Sequence, residues 1–224
     1  LESGTPEQLT LNLHGDWVEV DTRPLQGIRS LLAELLSEKK LDKPMLMPPF
    51  QAAQIADIPE LDQRKAPLTK ALMQRLQDFT GLKSVPVPTG LNAQLRSYQQ
   101  EGLNWLVFLQ QYGFGGILAD DMGLGKTLQA LALIQHMKES GTLKKPALVV
   151  APTSLTGNWV HEAAQFTPDL KVTLIHGPDR DTSFARISNS DLVITTYPLL
   201  LRDKTHYDKH KFSLVVLDEA QAIK

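Results

Sequence analysis

Asp120-Asp121-Met122-Gly123-Leu124-Gly125-Lys126-Thr127 stands between a short apolar run, Ile117-Leu118-Ala119, and a stretch of helical periodicity from Leu128 to Met137. The glycines at 123 and 125 allow successive backbone N–H groups to turn inward around an anion. Lys126 is placed to neutralise β- and γ-phosphate charge, and the Thr127 hydroxyl to ligate Mg²⁺. The following helix presents its positive N-terminal end to the same anion. Against the pattern G-x-x-x-x-G-K-[ST], Asp120 occupies the place of the first glycine. A glycine-rich turn capping an ordinary helix is the competing reading. Lys-Thr in register behind the second glycine, between strand and helix, favours a nucleotide loop. Residues 120 to 127 are therefore expected to bind the nucleotide, with Lys126 also acting in catalysis.

A second motif supports this. Ser213-Leu214-Val215-Val216-Leu217 reads as a strand that ends at Asp218-Glu219-Ala220-Gln221. Adjacent carboxylates at the end of a strand suit two separate roles, in which Asp218 holds Mg²⁺ and Glu219 orients and deprotonates an attacking water. An acid-rich helix start is the alternative. The upstream loop favours the chemical reading, because a phosphate-bound cation needs an acidic partner.

Around these motifs the chain alternates short apolar runs with helical stretches. Candidate strands cover 116–119, 147–151, 172–175, 192–195 and 214–217, and a helix runs from about Arg96 to Gln111. Runs rich in Val, Ile and Leu suit strands buried on both faces. The alternation argues for an α/β fold, a parallel sheet flanked by helices. Residues 1–84 differ and are read as a small α+β accessory segment. Leu9, Leu11 and Leu13 alternate with polar residues, His14-Gly15-Asp16 reads as a turn, and Trp17 to Val20 resumes extended character, which predicts a hairpin. Apolar faces at Leu25, Ile28, Leu31, Leu32, Leu35 and Leu36, and at Leu68, Leu72, Leu76 and Phe79, predict two amphipathic helices, the second stopping at Gly81. Pro86 and Pro88 stiffen an expected linker over 85–92, and the lobe is placed at 93–224.

Composition narrows the classes. The 224 residues contain no cysteine, which excludes a disulfide scaffold and a Cys-ligated zinc site. No apolar run approaches the roughly 18 residues of a membrane span, so a cytoplasmic protein with no membrane partner is expected. Leu1-Glu2-Ser3-Gly4 lacks an initiator Met and a signal pattern, and is read as the start of a fragment. Net charge is −2, and residues 91–224 hold 13 basic and 13 acidic side chains. Bulk charge therefore argues weakly against nucleic acid.

Leu95-Arg96-Ser97-Tyr98-Gln99-Gln100-Glu101-Gly102-Leu103-Asn104-Trp105-Leu106, the loop at 120–127, Ala151-Pro152-Thr153-Ser154-Leu155 with Asn158-Trp159, Ile194-Thr195-Thr196-Tyr197 and Asp218-Glu219-Ala220-Gln221 occur in one order. In that order they resemble the Swi/Snf family of DNA translocases, bacterial type, over about residues 91–224. The resemblance implies a RecA-like P-loop lobe, ATP and Mg²⁺ as cofactors, and a DNA-dependent ATPase that moves on duplex DNA and remodels protein–DNA complexes. It implies that Gln99 reads adenine through its carboxamide. It also implies that Thr153, Ser154 and Thr196 offer hydroxyls or backbone N–H groups to DNA phosphates. Capping of loops and helices is the competing role for those three. Trp105 and Trp159 are assigned to packing. Arg202, Lys204, His206, Lys209, His210 and Lys211, interrupted by Asp203 and Asp208, read as a solvated loop.

The acidic motif ends in Gln221, where many members carry His, so coupling between ATP and DNA here would run through hydrogen bonds without charge. The resemblance further implies a second RecA-like lobe in cis that supplies arginines, so residues 1–224 are expected to bind nucleotide far better than they turn it over. The accessory segment is expected to dock a protein partner, and a bacterial protein of this kind would sit at the nucleoid. Two rival functions remain: a strand-separating RNA or DNA helicase of the wider superfamily, and a non-catalytic nucleotide-binding scaffold.

Overall fold

The computed structural model describes residues 8–13, 16–21, 81–121 and 123–223. The chain divides into two compact units, residues 1–81 with 111–114, and residues 82–110 with 115–224. In the first unit, β1 (Gln8–Leu13) and β2 (Asp16–Asp21) pair antiparallel from Gln8 opposite Asp21 to Leu13 opposite Asp16. This is the hairpin that the alternation predicts. The two predicted helices before Gly81 lie outside the described residues.

The second unit is built on a parallel sheet. Its elements are α1 (Ser97–Tyr112), α2 (Lys126–Glu139), β3 (Ala147–Ala151), α3 (Thr156–Phe166) and β4 (Val172–Leu174). Then come α4 (Asp181–Phe184), β5 (Leu192–Thr196), α5 (Tyr197–Arg202), α6 (Lys204–Tyr207) and β6 (Leu214–Leu217). The strand order is β4-β5-β3-β6. Val172 lies opposite Leu192, Leu192 opposite Ala147, and Ala147 opposite Leu214, so the four strands enter the sheet along one line.

The period-2 alternation of side chains explains the layers. Ala147, Val149, Ala151, Leu192 and Ile194 face Leu131 and Ile134 of α2 and Trp159 and Ala163 of α3. Leu148, Val150 and Val193 face the other way, onto Phe184, Ile187 and Tyr207. Leu103 and Val107 of α1 pack on Ala132, Leu133 and Met137, the outer side of α2. Both central strands are buried along their whole length, as the apolar runs 147–151 and 192–194 lead one to expect; at the end of β5 the Thr195 hydroxyl meets the Tyr207 hydroxyl and Thr196 caps the next helix.

Two expectations need correction. Residues 117–119 are not a strand. They belong to no ladder of the sheet, and Ile117 is 86% exposed. Apolar character makes a segment suitable for a sheet, but only a neighbouring strand's hydrogen bonds make it one. Just before residues 117–119, Gly116 packs against α1, where a Cβ would stand 2.8 Å from the Trp105 ring and 2.4 Å from Leu109. The runs at 172–175 and 214–217 are likewise not buried on both faces, because β4 and β6 are the two edges of the sheet and Leu174 is 36% exposed. β6 is an edge strand, with Val215 and Leu217 about half exposed.

Residues 85–92 are tied down along their length. The Val85 N–H donates to Asn104 Oδ1 (3.0 Å), and Gln100 Nε2 donates to the Val85 carbonyl (2.9 Å). The Thr89 and Gly90 N–H groups donate to the Glu139 carboxylate at 2.9 and 2.7 Å. Burial alone would raise the Glu139 pKa, but hydrogen bonds from Gln135 and from the Gly90 and Thr89 N–H groups together hold it below its ordinary value. Leu91 is buried, and the Asn92 N–H donates to the Phe166 carbonyl.

Candidate nucleotide site

The short connection 140–146 returns the chain from the end of α2 to the start of β3. The first turn of α2 therefore sits at the edge of the sheet where the parallel strands end. That edge collects the loop before α2, the residues after β3, the end of β5 and the acidic turn after β6.

The loop is shaped by its glycines and by α1. Gly123 and Gly125 have φ of +83° and +79°, a region that costs other L residues roughly 1–2 kcal/mol. At Gly125 a Cβ would also stand 2.6 Å from Gln99 Nε2. That carboxamide is engaged at both ends: Nε2 donates to the Leu124 carbonyl (3.1 Å), and Oε1 accepts from the Arg96 N–H (2.9 Å). The Tyr98 hydroxyl donates to the same Leu124 carbonyl at 3.2 Å. Gln99 is buried and grips the loop. Asp120 likewise anchors the loop to the helix behind it, through Gln129 Nε2 at 3.1 Å. Gln129 is fully buried, and its Oε1 has no hydrogen-bond partner among the described residues.

The Lys126 ammonium folds back onto two loop carbonyls, those of Asp120 (2.7 Å) and Asp121 (3.0 Å). A cation held only by neutral carbonyls at a helix N-terminus is a ready counter-ion for phosphate. Thr127 stands in the first turn of α2, and Met122 lies outside the described residues.

The acidic turn is held from two sides. Trp159 Nε1 donates to Asp218 Oδ2 (2.8 Å), and the Tyr197 hydroxyl donates to the Asp218 carbonyl (2.8 Å). Glu219 follows with φ of +49°, the sole non-glycine at positive φ among the described residues. Such strain is retained where surrounding structure over-determines it, often at functional sites. Gln221 Nε2 donates to Glu219 Oε2. The negative charge gathered here is felt by its neighbours. The Glu162 pKa is raised by burial and then by Asp218, and that of Tyr197 by burial and then by Asp218 and Glu219.

Trp159 and Glu162, one turn apart on α3, escape a sequence reading as site residues because the partner of Trp159 is 59 positions away. Trp159 belongs to the core, as assigned, but its indole N–H also holds Asp218.

The remaining site residues fall as follows. Thr153 and Ser154 are exposed in the single turn of 3₁₀ helix after β3. Thr196 is buried, and its hydroxyl accepts from the Leu199 N–H as the N-cap of α5. Of the basic stretch after 201, Asp203 is not solvated. It is buried and paired with Arg180 at 2.7 and 2.9 Å.

The residues fit a magnesium nucleotide. The two glycines turn the loop backbone at positive φ, the lysine meets no carboxylate among the described residues, and by the chain's topology Asp218 and Thr127 fall at the same sheet edge. Among the described residues no group of three His, Cys, Asp or Glu side chains is arranged to hold a metal ion. A cation would thus rest on these two residues and the oxygens of its ligand, as suits Mg²⁺.

A parallel sheet with a glycine-lysine loop feeding a flanking helix defines a RecA-like P-loop lobe. Residues 98–224 match the SNF2-related domain, and the chain belongs to that family. The Bacillus subtilis (strain 168) protein named "Putative ATP-dependent helicase/translocase YwqA" is 36% identical over 96% of this chain and 25% of its own length. The human chromatin-remodeling ATPase INO80 is 38% identical over 63% of this chain and 10% of its own length. The SWI2/SNF2 ATPase core of Sulfolobus solfataricus, solved in complex with dsDNA, is 40% identical with a TM-score of 0.59. It covers 63% of this chain and 29% of that structure's chain. The chain thus spans a quarter or less of the length of these two protein relatives.

Proposed function

We propose that this chain is the ATP-binding lobe of a DNA-dependent ATPase that translocates on duplex DNA and remodels protein–DNA complexes. The observation that carries the reading is the convergence of the loop at 120–127 with the Asp218-Glu219 turn at one edge of a parallel sheet. The dsDNA in the Sulfolobus complex supports the choice of polymer.

In this reading Lys126 exchanges its two loop carbonyls for phosphate oxygens, and the α2 N-terminus adds its dipole. When bound, Mg²⁺ neutralises charge on the β- and γ-phosphates; Thr127 and Asp218 would hold it. Glu219 orients the attacking water and takes its proton. Gln221, already on the Glu219 carboxylate, links that residue to DNA-dependent movements by hydrogen bonding alone. Gln99 holds the loop closed from α1. Thr153 and Ser154, exposed at the same edge, offer donors to DNA phosphates; Thr196 contributes by fixing the start of α5. A second lobe in cis supplies the cationic charge opposite the transferring phosphoryl group. Residues 93–224 form the lobe, joined through 85–92 to an accessory segment, 1–84, that docks a protein partner.

Isothermal titration with Mg·ATP tests the reading. Lys126→Ala should weaken binding at least about tenfold, the loss of one charge-assisted bond worth ~1.5–3 kcal/mol. Equal affinity in both proteins would remove the nucleotide assignment.

A further inference from the structure

The opposite edge of the sheet, where the strands begin, carries a cavity of about 810 Å³. Lys144 and Lys145 before β3, Lys171 before β4, and Lys209 and Lys211 before β6 line it. These are five of the 13 basic residues in 91–224, a segment whose total charge is balanced. All five are exposed. The lining holds one carboxylate, Asp191 before β5, and its Oδ2 is already occupied by Lys138 Nζ (2.9 Å) and the Lys171 N–H (2.8 Å). Its charge is therefore committed to Lys138, a sixth cation outside the lining. The local excess is about five positive charges on a chain of net charge −2.

The fold creates this concentration. Strand order β4-β5-β3-β6 places the lysine-bearing entries side by side along the line Val172, Leu192, Ala147, Leu214. Three strand spacings span about 14 Å, the reach of about four phosphates at ~3.4 Å per strand. Ser188 and Asn189 add exposed neutral donors in the same lining. Ile187 and Pro146 are buried, Leu143 is half-buried with its side chain packed against the core, and among the described residues no Phe, Tyr or Trp lines the cavity. The surface thus offers charge with little apolar area to anchor a peptide and, apart from the half-buried His210, no ring on which a base could stack. Lysines used as point charges suit a repeated phosphate, read without regard to sequence.

We propose that this lysine-lined cavity binds the sugar-phosphate backbone of a nucleic-acid duplex, on the side of the lobe away from the nucleotide loop. It goes beyond the ATPase reading and is tested without nucleotide, so its failure leaves that reading untouched.

The test is binding of a fluorescent 20-base-pair DNA duplex to the 224-residue chain across a salt series. The variant carries Lys144→Gln, Lys145→Gln, Lys209→Gln and Lys211→Gln, and its urea midpoint is measured alongside. We expect at least tenfold weaker binding at low salt and a log–log salt slope shallower by about 2–3, from ~0.9 for each phosphate no longer neutralised. A second measurement keeps all lysines: with no native cysteine, Ser188→Cys is a unique site for a photo-crosslinker, and it should capture the duplex. Unchanged affinity and slope in the variant, absence of a crosslink, or displacement of the duplex by polyglutamate of equal charge at equal concentration would each overturn the proposal.

Discussion

The Trp159 indole N–H donates to Asp218 Oδ2 at 2.8 Å, joining the first turn of α3 to the acidic turn after β6. Trp159 is 3% exposed and wedged among Ala151, Ala163 and Leu170. The carboxylate meant for a cation is thus aimed by a residue of the core. Trp159→Phe keeps most of the packing and removes the donor. It should lower stability by about 1–3 kcal/mol, the worth of a hydrogen bond to a charged group with some lost volume. It should also make ATP affinity less sensitive to Mg²⁺ concentration. Urea unfolding and titration at several Mg²⁺ concentrations check both; a wild-type Mg²⁺ response would mean that Asp218 needs no such support.

Gln99 supports the loop through the Leu124 carbonyl and the Arg96 N–H. Gln99→Ala should therefore weaken ATP and GTP by similar factors, on the order of 5–10-fold for a net bond of ~1 kcal/mol. Parallel titrations decide. Selective loss of ATP would instead establish the adenine-reading role that the sequence suggests.

Arg180 grips Asp203 through two hydrogen bonds and also donates to the Gly177 carbonyl. The guanidinium bonds hold the Asp203 carboxyl below its ordinary pKa, more than offsetting its burial. Because the folded-state pKa is depressed, the pair's stabilisation is fully present above the ordinary carboxylate value near 4. It is lost as pH falls through the lower, folded value. Arg180→Ala should reduce the thermal midpoint at pH 7 and flatten its decline below pH 4. Calorimetry from pH 2.5 to 7 is the check; identical acid limbs would show that other carboxylates govern acid unfolding.

Hydrolysis needs Lys126, the cation, the Glu219-held water and positive charge on the far side of the phosphoryl group. An arginine supplied there is worth ~10³–10⁵ in rate. Residues 1–224 should accordingly release phosphate near background, with little stimulation by duplex DNA. In the full-length protein, Glu219→Gln should bind ATP normally and lose DNA-stimulated turnover. Steady-state phosphate release from both proteins is the measurement. Robust turnover by the 224-residue chain would mean that no second lobe is required.

Much of this is legible locally. The glycines, Lys126 and Thr127 work within a few bonds of one another, so their spacing alone announces a phosphate loop. The runs at 147–151 and 192–194 are apolar throughout because both faces of a central strand are covered, and the alternation at 9–13 marks a hairpin with the same directness. Tertiary structure decides what depends on a distant partner. Residues 117–119 have the composition of a strand but no ladder, and 214–217 form an edge. Asp203 looks solvated among basic neighbours and is buried against Arg180, 23 residues earlier. Trp159 is one more core aromatic until the fold brings Asp218 to its N–H. The lysines before β3, β4 and β6 are scattered through a balanced sequence and become one positive surface only when the strands line up their entries. Periodicity reports what each residue prefers to bury or to expose. Which hydrogen-bond partner or which charge it then meets is set by strand order and register, and these bring together residues that no local pattern connects.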